Sequence, residues 1–177
     1  MATLPIEEPR VTVEEYLQTS YRPDCDYVGG RIEERNVGEK EHSLIQRYLT
    51  FLFMLNREAW AVEAYPELRV RISPVEFRVP DLVVVRSGEK FERVLERPPL
   101  IAIEILSPED RLSRFQHRID DDLNFDIEHI WIFDPEHRCA WTATRTGLHL
   151  VQDVELSVVG TPIRVVLSDV FAELDKA

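Results

Sequence analysis

FRVPDLVVVR (77–86) and PPLIAIEILSPEDR (98–111) decide the fold. Each holds a short unbroken run of apolar residues, the pattern of a strand buried on both faces. Each run also carries one acid: Asp81 directly after Pro80, and Glu104 between Ile103 and Ile105. Carboxylates buried on neighbouring strands are costly unless something pairs with them. A divalent cation is one partner, since it takes carboxylate oxygens readily. An arginine is the other: a nearby one, such as Arg78 or Arg118, for Asp81, and a buried ion pair for Glu104.

Outward from these strands, Thr12 followed by Glu15 is a capping-box pattern, so Val13 to Gln18 reads as a short helix after a loose lead at 1–10. CDYVGGRIEERN (25–36) reads as a hairpin turning at Gly29-Gly30. Apolar positions from Leu44 to Leu55 recur with helical period, which predicts a helix over 41–57. Strands follow near 60–64, 67–73, 79–86 and 99–106. Asp110 caps a helix running to about 125. Further strands are expected at 129–135, 139–145, 148–156 and 163–167, then a last helix capped by Ser168 or Asp169. The helix between strands 99–106 and 129–135 makes a βαβ crossover. The fold class is α/β, a mixed central sheet flanked by helices, and 1–177 reads as a single domain.

Composition narrows the function. The chain has 177 residues, 33 acids against 21 bases and a formal charge of −12. Phosphate neutralisation drives non-specific DNA affinity, so this balance argues against a general DNA-coating protein. It leaves room for an enzyme with a small basic cleft. No apolar run is long enough to span a membrane, and no signal region opens the chain. A cytoplasmic location is the default. Cys25 and Cys139 form neither a disulfide framework nor a zinc site. No phosphate-binding glycine loop or GxSxG elbow is present.

The order and spacing of TVEEYL (12–17), DYVGGRIEERNVGEKEHS (26–43), RVPDLVVVR (78–86), IEILSPEDRLSR (103–114), QHRIDDDL (116–123), IWIFDPEHR (130–138) and LSDVFAEL (167–174) carry a resemblance. The chain resembles the Uma-type family of restriction endonuclease-like proteins, a large bacterial family within the PD-(D/E)XK nuclease superfamily. The resemblance implies a restriction endonuclease-like fold and phosphodiester hydrolysis dependent on Mg²⁺ or Mn²⁺, with DNA as substrate and a 5′-phosphate product. It implies Asp81 and Glu104 as metal ligands, joined by the main-chain carbonyl of Ile105. Two departures stand out. Leu106 occupies the motif's lysine position, and Arg118 stands where the family often has a lysine on the following helix. Arginine keeps the charge but is a poor general base. Arg118 could instead stabilise charge developing on the phosphate.

Accessory candidates are Glu41 and His42 at the start of the long helix, and Asp26 in the hairpin. Each has an ordinary reading too: Glu41 favours a first helical turn, His42 packs or caps, and Asp26 flanks a turn. Arg118 has one as well, a salt bridge to Asp122 at i,i+4 or to another acid. Asp120, Asp121 and Asp122 read as a solvated helix face or a metal-accessory cluster. Trp131 and Phe133 read as core. Two functions stand: a Mg²⁺-dependent endonuclease, or a nuclease fold without catalysis that binds a partner or itself. Carboxylates converging in an open cleft favour the first; Arg118 bridging them in a closed pocket favours the second. A homodimer suits either.

Overall fold

The computed structural model describes residues 10–35, 39–108 and 112–176, and the side chains of 112–114 are not among those described. The lead before Arg10 and the Asp110 cap therefore lie outside the described residues. No helix among the described residues is long and apolar enough to cross a membrane.

The elements, in chain order, are α1 (Val13–Gln18), β1 (Asp26–Val28), β2 (Arg31–Glu33), α2 (Lys40–Leu55), α3 (Arg57–Trp60), β3 (Val62–Pro66), β4 (Val70–Ser73), β5 (Glu76–Arg78), β6 (Leu82–Arg86) and β7 (Ile101–Ile105). There follow α4 (Leu112–Asn124), β8 (His129–Asp134), β9 (Cys139–Thr144), β10 (Gly147–Leu150), β11 (Glu155–Ser157), β12 (Arg164–Val166) and α5 (Leu167–Ala172). The main sheet has the order β10-β9-β8-β7-β6-β3. Its β7–β8 pair is parallel and is crossed by α4, as the βαβ reading expects; its other pairs are antiparallel.

Strand alternation divides the core between the two faces of this sheet. Ile101, Ile103 and Ile105 face α2 (Ile45, Leu49, Phe53) and α5 (Val170, Phe171), together with Trp131 and Phe133. Ala102, Ile130 and Ile132 face α4 through Phe115 and Ile119. Glu104 shares the parity of Ala102, so it belongs to the α4 face. A smaller antiparallel sheet, β2-β1-β5-β4, packs under α1. Tyr16, Tyr27 and Phe77 form its core, with the Tyr16 ring 5.0 Å from Tyr27 and 5.3 Å from Phe77. The capping box at Thr12–Glu15 forms. Gly29 and Gly30 take φ of 55° and 95°, the left-handed turn that a side chain would strain.

Several boundaries differ from expectation. The strand expected near 79–86 starts only at Leu82, as β6 of the main sheet, and an unexpected strand, β5 of the small sheet, ends just before it at Arg78. Pro80 has no N–H to give a ladder, so the chain changes sheets there. The expected strand 148–156 is two, β10 and β11, the latter paired only with β12. The long helix stops at Leu55 and restarts as α3 after Asn56. Val166 occupies the N-cap of α5 with no side-chain bond, so neither Ser168 nor Asp169 caps it. The break at Pro80 matters most, because it brings both sheets to Asp81.

Candidate functional site

The register Leu82↔Ile103, continued by one residue, sets Asp81 opposite Glu104. Directly opposed residues share a sheet face, with Cβ atoms about 4.5–5.5 Å apart. One step further, Pro80 stands opposite Ile105. Leu106 donates its N–H to Phe133, so even-numbered residues of β7 bond β8 and odd-numbered ones face β6. The Ile105 carbonyl thus faces Pro80, which has no N–H to offer it. The Ile105 N–H instead reaches Asp81 Oδ2 at 2.7 Å.

Both carboxylates are 3% exposed. Arg35 Nη2 binds Asp81 Oδ1, and His42 Nε2 lies 3.2 Å from Asp81 Oδ2. The Asp81 carbonyl is held by Gln46 of α2 at 2.9 Å. Arg118 Nη2 donates to both Glu104 oxygens at 2.8 Å and to the Val79 carbonyl at 3.3 Å. Beside them Arg78 binds Asp26 at 3.0 Å, Glu33 at 3.1 Å and Asp121 at 2.9 Å. Asp26 also accepts the Val79 N–H at 2.9 Å and lies 3.5 Å from Arg118 Nε. The result is one network of guanidinium and carboxylate groups at the junction of the two sheets and α4.

Environment sets the ionisation of these groups. Burial alone would raise Asp81, but the His42 hydrogen bond and the charges of Arg35 and Arg118 outweigh it and hold the carboxyl below its usual range. Burial pushes Glu104 well up, opposed by Arg118 and aided by the Asp81 charge. Burial also pushes Asp122 up to about 7 against the pull of Arg118. Arg118 is held protonated: burial works against its charge, and Glu104, Asp26 and Asp81 outweigh it.

The structure therefore brings Asp81, Glu104, Ile105, His42, Asp26 and Arg118 together. Glu41 is exposed and lies apart, on the rim of a cleft of about 580 Å³. That cleft is floored by Leu106, Phe115, Ile132 and Trp141, and it shares His42 with the network. The ion-pair alternatives take particular partners. The nearby arginine on Asp81 is Arg35, where Arg78 and Arg118 were the examples. Arg118 pairs with another acid, Glu104, and has no hydrogen bond to Asp122 among the described residues. Only Asp120 of the acidic run is a solvated residue: Asp121 pairs with Arg78, and Asp122 is 1% exposed. The period Phe115, Ile119, Asp122 already put Asp122 on the apolar stripe of the helix. Nothing comparable in the sequence marks Arg35.

Among the described residues, no three His, Cys, Asp or Glu side chains stand ready as a metal cage. The donor set still suits Mg²⁺, which binds through one or two carboxylates plus water and substrate phosphate rather than through an all-protein cage. Asp81, Glu104 and the carbonyl of Ile105 are hard oxygen donors at one strand end. The two carboxylates are presently neutralised by guanidinium groups, so a cation would have to compete for them.

The model of a family described as "Uma2: Putative restriction endonuclease" matches residues 13–173 of this chain. No curated protein matches it. A solved structure similar to it is that of "a putative nuclease belonging to DUF820" from Anabaena variabilis, with a TM-score of 0.75 and 20% identity. The likeness covers 93% of this chain and 99% of that one.

Proposed function

This chain belongs to the Uma2 family of putative restriction endonucleases, and from that premise we propose that it is a Mg²⁺- or Mn²⁺-dependent endonuclease hydrolysing phosphodiester bonds of DNA. The observation that carries the reading is the opposed pair Asp81 and Glu104, buried together beside a carbonyl that Pro80 leaves without a strand partner. A divalent cation held by Asp81, Glu104 and the Ile105 carbonyl would polarise the scissile phosphate and acidify a water. The chain's own residues fix the geometry. His42 Nε2 and the Ile105 N–H orient the Asp81 carboxylate, and Gln46 anchors its backbone. Pre-positioned groups of this kind spare reorganisation during the reaction. Arg118, permanently charged, would offset negative charge building on the phosphate. A two-fold dimer would present two such centres to a duplex, and Phe51, Met54 and Leu55 leave an exposed apolar stripe on α2 for it.

A second reading is a nuclease fold that binds without cleaving. The guanidinium groups already seated on both carboxylates favour it. Nicking of supercoiled DNA with Mg²⁺ or Mn²⁺, beside Asp81→Ala and Glu104→Ala controls, separates the two. Metal-dependent nicking lost in both controls supports the endonuclease. No nicking, and no metal uptake by calorimetry, overturns it.

A further inference from the structure

The network has one more buried acid than it has guanidinium groups. Asp26, Asp81, Glu104 and Asp122 are each at most 3% exposed. Against them stand Arg35, Arg78 and Arg118, with side chains 8%, 5% and 13% exposed. Several of its polar atoms are buried with no hydrogen-bond partner among the described residues: Arg35 Nε and Nη1, Arg118 Nε, and Asp122 Oδ2. Such atoms are rare in folded proteins.

These atoms sit beside acids that the arginines already meet as longer ion pairs, without a hydrogen bond. Arg35 Nη1 is 3.6 Å from Glu67 Oε1, and Arg118 Nε is 3.5 Å from Asp26 Oδ2. Asp122 lies one helical turn beyond Arg118 on α4, within reach of a side chain on the same face. Its charge and that of Arg118 already act on each other. A guanidinium offers five donors in a fork and keeps its charge wherever it moves. It can pass between neighbouring carboxylates without ever being left unpaired.

We propose that Arg35 and Arg118 are displaceable counter-ions with two seats each. In the first seat they neutralise Asp81 and Glu104. When a divalent cation neutralises those carboxylates, Arg118 transfers to Asp122 and Asp26, and Arg35 transfers to Glu67. This rests on the nuclease reading and adds to it: Arg35, Glu67 and Asp122, none of them a metal ligand, set the metal affinity. The competition predicts opposite signs at two kinds of position. Removing a guanidinium tightens cation binding. Removing a second seat weakens it, although the substituted residue never touches the cation.

The test is calorimetric titration of Mn²⁺ into the full chain and its variants, with folding checked by circular dichroism. Arg118→Gln is expected to bind Mn²⁺ roughly tenfold more tightly than wild type, and Asp122→Asn several-fold more weakly, within the usual range of coupling between sites. Glu67→Gln, at a side chain 47% exposed, is also expected to bind more weakly, and it keeps the test open should a buried variant fail to fold. If wild type binds Mn²⁺ and loses it with Asp81→Asn, while Glu67→Gln and Asp122→Asn bind as wild type does, the two-seat proposal is overturned and the nuclease reading stands. If neither wild type nor Arg118→Gln binds Mn²⁺, both fall.

Discussion

Replacing Arg78 with methionine of similar length probes how the small sheet is held to the site. Arg78 is 4% exposed and serves three acids. Glu33 and Asp121 have side chains 34% and 27% exposed, so water would take over much of their solvation. Asp26, at 3%, could not be rescued that way. Breaking a buried pair from one side costs about 3–5 kcal/mol, and Asp26 would keep only the Val79 N–H and the longer Arg118 contact at 3.5 Å. For a chain of this length each kcal/mol lowers the melting temperature by about 2–4 °C, so Arg78→Met is expected to melt about 6–20 °C lower. Asp26→Asn keeps an oxygen for the Val79 N–H and removes the charge. Added to Arg78→Met, it is expected to recover about 2 kcal/mol in a double-mutant cycle followed by urea unfolding. A loss below about 1 kcal/mol for Arg78→Met, or no coupling in the cycle, would refute the claim that this pair joins β1 to β5 under the site.

Other outcomes follow from the same network. Asp122 titrates near 7 in the fold, above its ordinary value, so the folded chain holds a proton that the unfolded chain releases. Its contribution is fully present below about pH 4 and is lost as the pH rises towards 7, to the extent of a few kcal/mol. Asp122→Asn should flatten that decline in urea unfolding at pH 5 and pH 8, and an unchanged decline would contradict the assignment. Thr12→Ala removes the hydroxyl that caps the Glu15 N–H at α1, leaving only the Glu15 carboxylate on the backbone N–H of residue 12, and should cost about 1 kcal/mol in thermal unfolding. A change within a few tenths would show that α1 is held by Tyr16 packing alone.

Much of the fold could be read from apolar period. The strands β6 and β7, the crossover helix α4 and the long helix α2 each carry a pattern that only one kind of element satisfies. Asp81 and Glu104 stood out because a charge in such a run demands a partner. The identity of the partner was not legible. Arg35 comes from the segment just after β2, with 45 residues between it and Asp81, and no periodicity links the two. Asp26 looked like a turn residue until β5 crossed beneath it and supplied Arg78. Asp122 was hidden by its acidic neighbours, although Phe115 and Ile119 already marked its face. Long-range ion pairs are set by how sheets meet, and that meeting depends here on the break at Pro80.

The most direct measurement is a crystal structure of the chain grown with Mn²⁺, with the ion located by its anomalous signal. The account predicts a peak shared by Asp81 and Glu104 beside the Ile105 carbonyl, with Arg118 off Glu104 and on Asp122 and Asp26, and Arg35 on Glu67. No peak there, with Arg35 and Arg118 still seated on their carboxylates, would contradict it.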